Sequence, residues 1–253
     1  MTRIDSSDIW YFIGAGVLLV GYTFIFFQTK NLKSKLFNRK HVISLIVLAI
    51  ACYLILGFGY GFTTHAHSFI YYPRYIIWVA TTSVILLSLL RIGLPKSNDQ
   101  IKTKDRKYLI NSVITADVIM VALLLLASYS SSVEIKRLFF SLSCVAFLGI
   151  IWAMFGAVRE RALDNGITNE KIYSSLLVYF SVVWIFYPIV WLFGTSGTNN
   201  LSLYTENLIY AVLDLFLLVG FWIYTIYLII EPAVEPTKTI KPTKKVVSPK
   251  QAS

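Results

Sequence analysis

Charged residues are scarce in this chain of 253 residues. Asp, Glu, Lys and Arg together make up 14% of it, whereas a water-soluble domain carries about 25%. Hydrophobic residues make up 57%. The chain therefore has too little charge to cover the surface of a soluble globular protein, and that class of protein is excluded.

Residues that form disulfides, metal centres and catalytic groups are also few. Cys52 and Cys144 lie in apolar stretches, where a free cysteine behaves as a small apolar residue, so we expect no disulfide. His65 and His67 lack cysteine or carboxylate neighbours, which favours a solvated loop over a metal site. Motifs of nucleophilic, glycine-rich phosphate-binding or paired-carboxylate type do not occur in the sequence. We therefore predict no catalytic residues, no metal and no enzyme activity.

The chain instead contains seven apolar blocks, each long enough to cross a bilayer core of about 30 Å at about 1.5 Å per residue. They predict membrane spans at 9–27, 42–62, 74–94, 108–129, 138–158, 172–193 and 205–230. The fold class is therefore all-α: an integral membrane bundle of seven transmembrane helices over residues 1–230, whose first helix is retained rather than cleaved. Residues 231–253, rich in lysine and proline, predict a disordered basic cytoplasmic tail.

The basic residues are divided unequally between the two sides of the predicted bundle. With the N-terminus outside, the outer side keeps four of the 23 basic residues, namely Arg3, Arg74, Lys136 and Arg137. The positive-inside rule then predicts a multi-pass protein of the cell membrane with an extracellular N-terminus and a cytoplasmic C-terminus. The net charge of +10 thus reflects the membrane topology rather than a nucleic-acid partner, which we do not expect. Basic residues on the inner side also favour anionic lipid in the inner leaflet.

Four ionisable residues lie within or at the edge of the predicted spans: Arg74, Asp117, Glu206 and Asp214. Such groups are costly in a bilayer unless they have a partner or a function. Arg74, Asp214 and Glu206 are predicted to lie along one outward-facing path. The path is either an ion pair that locks helices together or part of a functional site.

Aromatic residues gather at the same depth, because helical spacing places them on shared faces of the third and sixth spans. Tyr53 of the second span is a further candidate to point inward, and Pro188 is expected to kink the sixth. These residues form either ordinary core or a ligand pocket around Asp214. The aromatic and hydroxyl residues concerned are Tyr53, Trp78, Thr82, Trp184, Tyr187 and Trp191.

Several motifs carry a family resemblance. They are Arg74-Tyr75-x-x-Trp78-x-x-Thr81-Thr82, Ala116-Asp117-x-x-Met120, Trp184-x-x-Tyr187-Pro188-x-x-Trp191, Gly194-Thr195-Ser196-Gly197, Glu206 and Val212-Leu213-Asp214. In this order they resemble the third, fourth, sixth and seventh helices of the microbial rhodopsins, the bacteriorhodopsin-like members especially. The resemblance implies a seven-helix retinal protein that pumps ions, gates a channel or signals in light. It also implies a pocket formed by Tyr53, Trp78, Thr82, Met120, Trp184, Tyr187, Trp191, Asp214 and Leu218.

Three positions depart from what the resemblance implies. The lysine that binds retinal as a Schiff base, four residues after the helix-seven aspartate, is Leu218 here. The aspartate that accepts the Schiff-base proton is Ile77, and the cytoplasmic proton donor is Ser88. No other lysine lies within a predicted span, so we expect no covalent retinal. Arg74 and Asp214 should then remain as one compensated pair, with Tyr53 and Tyr187 hydrogen-bonded to the carboxylate.

Three functions remain open. The first is an opsin-like membrane protein without a pump photocycle, which acts as a scaffold, a regulatory protein or a partner subunit. It would form a homo-oligomer or a hetero-oligomer with other rhodopsins, helped by Gly14, Gly16 and Gly57-x-x-x-Gly61. The second is a pocket that holds retinal or another flat apolar molecule without a covalent bond. The third is ion transport along the Arg74–Glu206 path.

Overall fold

A computed structural model describes residues 9–30, 38–58, 62–63, 69–70, 72–94, 100–164 and 166–230. It contains seven helices that are long and apolar enough to cross a membrane. The prediction of an all-helical bundle with seven spans is confirmed. The orientation of the termini stays a prediction, and the tail 231–253 lies outside the described residues.

The first four spans are single helices. They are α1 (Ile9–Gln28), α2 (Arg39–Gly57), α3 (Tyr72–Gly93) and α4 (Gln100–Tyr129). Between α2 and α3 lies a short antiparallel pair, β1 (Phe62–Thr63) and β2 (Phe69–Ile70), in which Phe62 faces Ile70. The second span thus ends at Gly57 rather than at the predicted residue 62. His65 and His67 lie outside the described residues.

The last three spans are interrupted helices. The fifth contains α5 (Val133–Ala153), a π-helical segment (Met154–Val158) and α6 (Arg159–Asp164). The sixth contains α7 (Ile167–Trp184) and α8 (Phe186–Phe193). It breaks at Ile185 because Pro188 has no backbone N–H to donate to the carbonyl of Trp184. The seventh contains α9 (Leu203–Leu215), a second π-helical segment (Phe216–Gly220) and α10 (Phe221–Ile230).

Polar side chains start several helices. Asn38, Ser132 and Ser202 each accept a hydrogen bond from the backbone N–H three residues later, at 3.4, 3.5 and 3.2 Å. These bonds satisfy amide groups that have no partner inside the helix. Because such caps lie in the polar regions that flank the apolar blocks, the helices extend further than the apolar blocks themselves.

Several observed helices begin before the predicted spans and therefore include lysines that the predicted spans do not. Five lysines lie within the first eight residues of a helix and outside the bounds of the predicted spans: Lys40, Lys104, Lys107, Lys136 and Lys171. They stand at the ends of the bundle, where long cationic side chains can reach the membrane interface.

The core of the bundle lies around α3. Neighbouring spans pack in chain order, and the ring closes where α1 packs on α9. α3 contacts α2, α4 and α7 and is the most buried of the seven spans, whereas the span Val133–Asp164 is the least buried. Large apolar side chains such as Val20, Phe27 and Trp152 are exposed on the outside, where a bilayer would cover them. The polar residues that follow therefore lie in the interior that α3 organises.

Candidate functional site

Asp214 is the buried carboxylate at the centre of the candidate site. It lies on α9 and is 5% exposed. Tyr53 of α2 donates a hydrogen bond to Asp214 Oδ2 at 2.6 Å, and Tyr187 of α8 donates one to Oδ1 at 2.7 Å. These distances are typical of hydroxyl groups that donate to an ionised carboxylate. Three spans thus meet at one side chain, and the two tyrosines lie where the sequence places them.

Arg74 forms a separate buried cluster near the start of α3. Its Nη1 lies 2.7 Å from Glu206 Oε1, and this ion pair is almost completely buried. Its Nη2 donates to Asn207 Oδ1 at 2.7 Å and also to the Tyr11 hydroxyl. The guanidinium lies over the ring of Tyr210, 4.5 Å from its centroid.

This arrangement corrects the expected Arg74–Asp214 pair. Arg74 forms its ion pair with Glu206, and among the described residues Asp214 forms none. Glu206 Oε2 also accepts the backbone N–H of Thr195 at 2.7 Å. The glutamate thereby ties α3 and α9 to the turn that follows α8. Arg74 and Glu206 cancel each other in charge, and within the described residues the hydrogen-bond partners of the Asp214 carboxylate are the Tyr53 and Tyr187 hydroxyls.

Tyr11 and Asn207 are members of the Arg74 cluster that sequence reasoning missed. Both are buried, and the Tyr11 hydroxyl donates to Asn207 Oδ1 at 2.7 Å. Asn207 could have been found as a polar residue within an apolar span, next to Glu206. Tyr11 carries no such signal, because a tyrosine near a helix start is also typical of the membrane interface.

A small cavity of about 40 Å³ adjoins Asp214. Trp78 and Tyr187 form one wall, with their ring centroids 5.6 Å apart and their planes nearly perpendicular. In a second wall, Trp184 packs against Phe147, and their ring centroids lie 4.7 Å apart. The complete lining is Trp78, Thr81, Thr82, Met120, Val121, Leu124, Ser143, Cys144, Phe147, Trp184, Tyr187, Pro188, Asp214 and Leu217.

Six of the nine predicted pocket residues line this cavity: Trp78, Thr82, Met120, Trp184, Tyr187 and Asp214. Tyr53 reaches Asp214 without lining the cavity. Trp191 belongs to a neighbouring cluster, where its Nε1 donates to Ser128 Oγ at 3.0 Å. Leu218 is fully buried in the second π-helical segment, directly after Leu217 of the lining.

Two polar atoms at this cavity are buried without a hydrogen-bond partner among the described residues. They are the Trp78 Nε1 and the Thr81 Oγ1. Thr81 follows Ile77 by four residues, so the two side chains share a helical face, and Ile77 offers the hydroxyl no polar group. Unsatisfied buried polar groups are uncommon and costly. These two atoms could bind water or a polar group of a ligand.

Asp117 forms a second buried carboxylate site outside the lining. Its Oδ2 lies 2.7 Å from Ser83 Oγ and 3.0 Å from Thr82 Oγ1. It is fully buried and joins α4 to α3. Thr82 thus lies between the cavity and this interhelical contact.

The three positions at which the sequence departs from the family resemblance carry neither a carboxylate nor an amine. Ile77 and Leu218 are buried and apolar. Ser88 Oγ donates to the backbone carbonyl of Val84 in its own helix, at 2.9 Å. None of the residues that line the cavity is a lysine.

Comparison with known proteins agrees with this architecture. The family described as "Bacteriorhodopsin-like protein" matches residues 5–246. Bacteriorhodopsin-II of Haloarcula marismortui is 25% identical over 225 residues, which cover 86% of each chain. Among solved structures, the thermophilic rhodopsin from Rubrobacter xylanophilus superimposes with a TM-score of 0.79 at 29% identity, covering 88% of this chain and 95% of that one.

A third comparison shows the fold alone. The light-driven proton pump from Coccomyxa subellipsoidea superimposes with a TM-score of 0.75, covering 89% of this chain and 98% of its own, at 23% identity.

Proposed function

This chain belongs to the bacteriorhodopsin-like family, and from that membership we propose that it is a member that forms no covalent bond with retinal and carries out no pump photocycle. The observation that carries this proposal is Leu218. The family resemblance implies a lysine at that position, and leucine has no amine with which to form an imine. Retinal linked as a Schiff base does not fit the residues present at this cavity.

The other changes in the chamber agree with the loss of an imine. Ile77 offers no carboxylate to accept a proton, and the Ser88 hydroxyl is directed to Val84 of its own helix. Asp214 is supported by Tyr53 and Tyr187. A buried carboxylate without such donors would cost several kcal/mol. The two tyrosine hydrogen bonds therefore offset part of the cost of burying Asp214 without a bound chromophore.

We propose that the protein acts in the bilayer as a scaffold, a regulatory protein or a partner subunit. Its outer surface could admit another helix at Gly16, Gly149 and Gly156, because a Cβ added at any of these would meet nothing within 4 Å. Small residues let membrane helices approach closely. Gly14 and Gly57 are instead filled by Tyr53 and Phe12 of the same chain, and Gly61 lies outside the described residues. The proposed contact with a partner helix therefore rests on Gly16, Gly149 and Gly156.

A second candidate function is supported by the cavity. Its lining is mostly apolar and aromatic. We propose as the alternative that the chamber holds retinal or another elongated apolar molecule without a covalent bond.

Light-driven ion flux in vesicles tests the absence of a photocycle. The purified protein is reconstituted with all-trans retinal, and the pH is recorded in light and in darkness. The Coccomyxa pump in matched vesicles serves as the positive control. We expect no light-dependent change of pH for this chain. Flux that requires both light and retinal would overturn the proposal. Ion flux in darkness that is lost in a Glu206→Gln variant, shown by circular dichroism to be folded, would support transport along the Arg74–Glu206 path instead.

The orientation needs its own test. We propose an extracellular N-terminus and a cytoplasmic C-terminus on the basis of the basic residues in the loops. A Ser253→Cys variant, with Cys52 and Cys144 replaced by alanine, should react with an impermeant thiol reagent only after the cells are permeabilised. Labelling in intact cells would contradict the orientation.

A further inference from the structure

We propose that a crevice between the first and seventh spans binds one acyl chain of an ester-linked phospholipid, whose ester carbonyl accepts a hydrogen bond from Trp10. The crevice is separate from the chamber, because none of the residues that line it lines the cavity beside Asp214. Lipid binding at this site therefore does not depend on Leu218 or on the function proposed above.

The crevice lies where the ring of spans closes, between α1 and α9. Each helix lines it with one face, because the lining residues recur at three, four and seven residues after Trp10 and after Leu208. Leu18 and Tyr53, which are both buried, also line it. The space between the helices is about 170 Å³, slightly more than an engineered cavity of about 150 Å³ that binds benzene. The crevice can therefore hold part of an apolar chain.

The crevice faces the bilayer. Ile13 of α1 and Val212 of α9 line it and are 46% and 43% exposed, on the outside of the bundle where lipid would cover them. Gly14 and Ala211 are the smallest lining residues, one on each helix, and they keep the space between the helices open. A lipid chain can thus enter from the side.

One hydrogen-bond donor in the crevice has no acceptor. Two of the lining residues carry a polar side-chain group, Trp10 and Tyr53, and the Tyr53 hydroxyl already donates to Asp214. Trp10 Nε1 is buried and has no hydrogen-bond partner among the described residues. An indole nitrogen can only donate, and buried Trp N–H groups usually have a partner. A ligand in the crevice should therefore supply an acceptor.

The ring of Trp10 is also held in place. It packs edge to face against Tyr204 of α9, with the ring centroids 5.5 Å apart. This contact joins the two walls of the crevice at their first turns, since α1 begins at Ile9 and α9 at Leu203. The indole is thus fixed at one end of the crevice.

The order of the groups along the crevice is the order of the groups in a phospholipid. α1 and α9 run in the same direction, because six crossings separate the starts of the first and seventh spans. Trp10 therefore lies at the membrane interface, where tryptophan is enriched. Val17 lies about 10 Å deeper at about 1.5 Å per residue, level with the apolar end of the crevice. An ester carbonyl at the interface, followed by a hydrocarbon chain, matches this arrangement.

Two phosphatidylcholines with identical chains test the proposal, one with ester linkages and one with ether linkages. Each is titrated into the full-length protein in detergent micelles, and native mass spectrometry gives the apparent Kd of the first bound lipid. The ether lipid has no carbonyl, and its chains are as apolar as those of the ester. One neutral hydrogen bond predicts that the ester lipid binds about three- to tenfold more tightly.

Three variants locate the effect. Trp10→Phe keeps an aromatic ring without the N–H and should reduce the preference for the ester to less than about twofold. Trp152→Phe is the matched control, because Trp152 is 81% exposed on α5 and lies outside the crevice, so it should keep the preference. Ala211→Phe fills the crevice and should leave only the binding of lipid elsewhere on the bundle.

The proposal is overturned if the native chain binds both lipids equally, if the preference survives in Trp10→Phe, or if Ala211→Phe binds the ester lipid as tightly as the native chain. Loss of the preference in Trp152→Phe would also overturn it. Dimers of the chain in place of lipid adducts would assign the crevice to a second copy instead. If a variant does not fold, as judged by circular dichroism, the comparison of the two lipids on the native chain still decides.

Discussion

The ion pair between Arg74 and Glu206 should stabilise the bundle far more than any exposed ion pair. Glu206→Gln removes the negative charge but keeps an oxygen that can accept the Thr195 N–H. The Arg74 and Glu206 side chains are only 7% and 1% exposed, so the variant leaves a buried guanidinium without its counter-charge. Breaking a buried pair in this way costs about 3–5 kcal/mol. We expect about 3 kcal/mol, because Asn207 and the ring of Tyr210 still contact the guanidinium.

The free energy of unfolding in mixed micelles measures this cost. Glu170→Gln is the matched control, since Glu170 forms an ion pair of 2.9 Å with Arg159, whose side chain is 53% exposed. That variant should lose much less stability, because water screens exposed pairs. A double-mutant cycle should then give a larger coupling between Arg74 and Glu206 than between Arg74 and Asp214. A cost below about 1 kcal/mol for Glu206→Gln, against the range for buried pairs, would refute the reasoning. So would a larger coupling to Asp214.

Three further predictions follow from the same geometry. Leu218→Lys should give a poor or acid-dependent pigment with retinal, because Ile77 supplies no second counter-ion. Visible spectra over a pH series measure this pigment. The double variant Leu218→Lys with Ile77→Asp should restore colour near neutral pH. If Leu218→Lys binds no retinal at any pH, the pocket is closed. Gly14→Ala should cost about 1–3 kcal/mol, because its Cβ would lie 2.5 Å from Tyr53 Cε1. Thermal unfolding checks it against Gly16→Ala, which should be neutral, and equal effects would contradict the packing. Ser143→Ala removes a hydrogen bond of 2.9 Å to the Met120 carbonyl and should cost about 0.6 kcal/mol, whereas a loss above about 2 kcal/mol would exceed any such bond measured in a membrane.

The number of spans could be predicted from the sequence because the length of an apolar block sets the number of bilayer crossings. Their ends could not, since polar caps such as Ser132 and Ser202 extend helices beyond the apolar block. The second span was predicted too long because the apolar residues continue past Gly57. That apolar run continues into the short β1–β2 pair.

The candidate site could be predicted in part. Helical spacing brings Trp78 and Thr82 to one face, and the family resemblance pointed to Tyr53 as a partner of Asp214. The choice of Glu206 as the ion-pair partner of Arg74 depends on how α3 and α9 are rotated against each other, and one sequence does not contain that information. Met120 of α4 was predicted, but Leu124 of α4 and Phe147 of α5 were missed, because they look like any other apolar residues of a span.

The visible spectrum of the purified protein with added all-trans retinal tests the central claim most directly. The account predicts a spectrum like that of free retinal, or no bound retinal at all, because the position four residues after Asp214 carries a leucine. A wash-resistant band far to the red of free retinal, with an imine on a side chain inside the bundle of the unaltered protein, would contradict it.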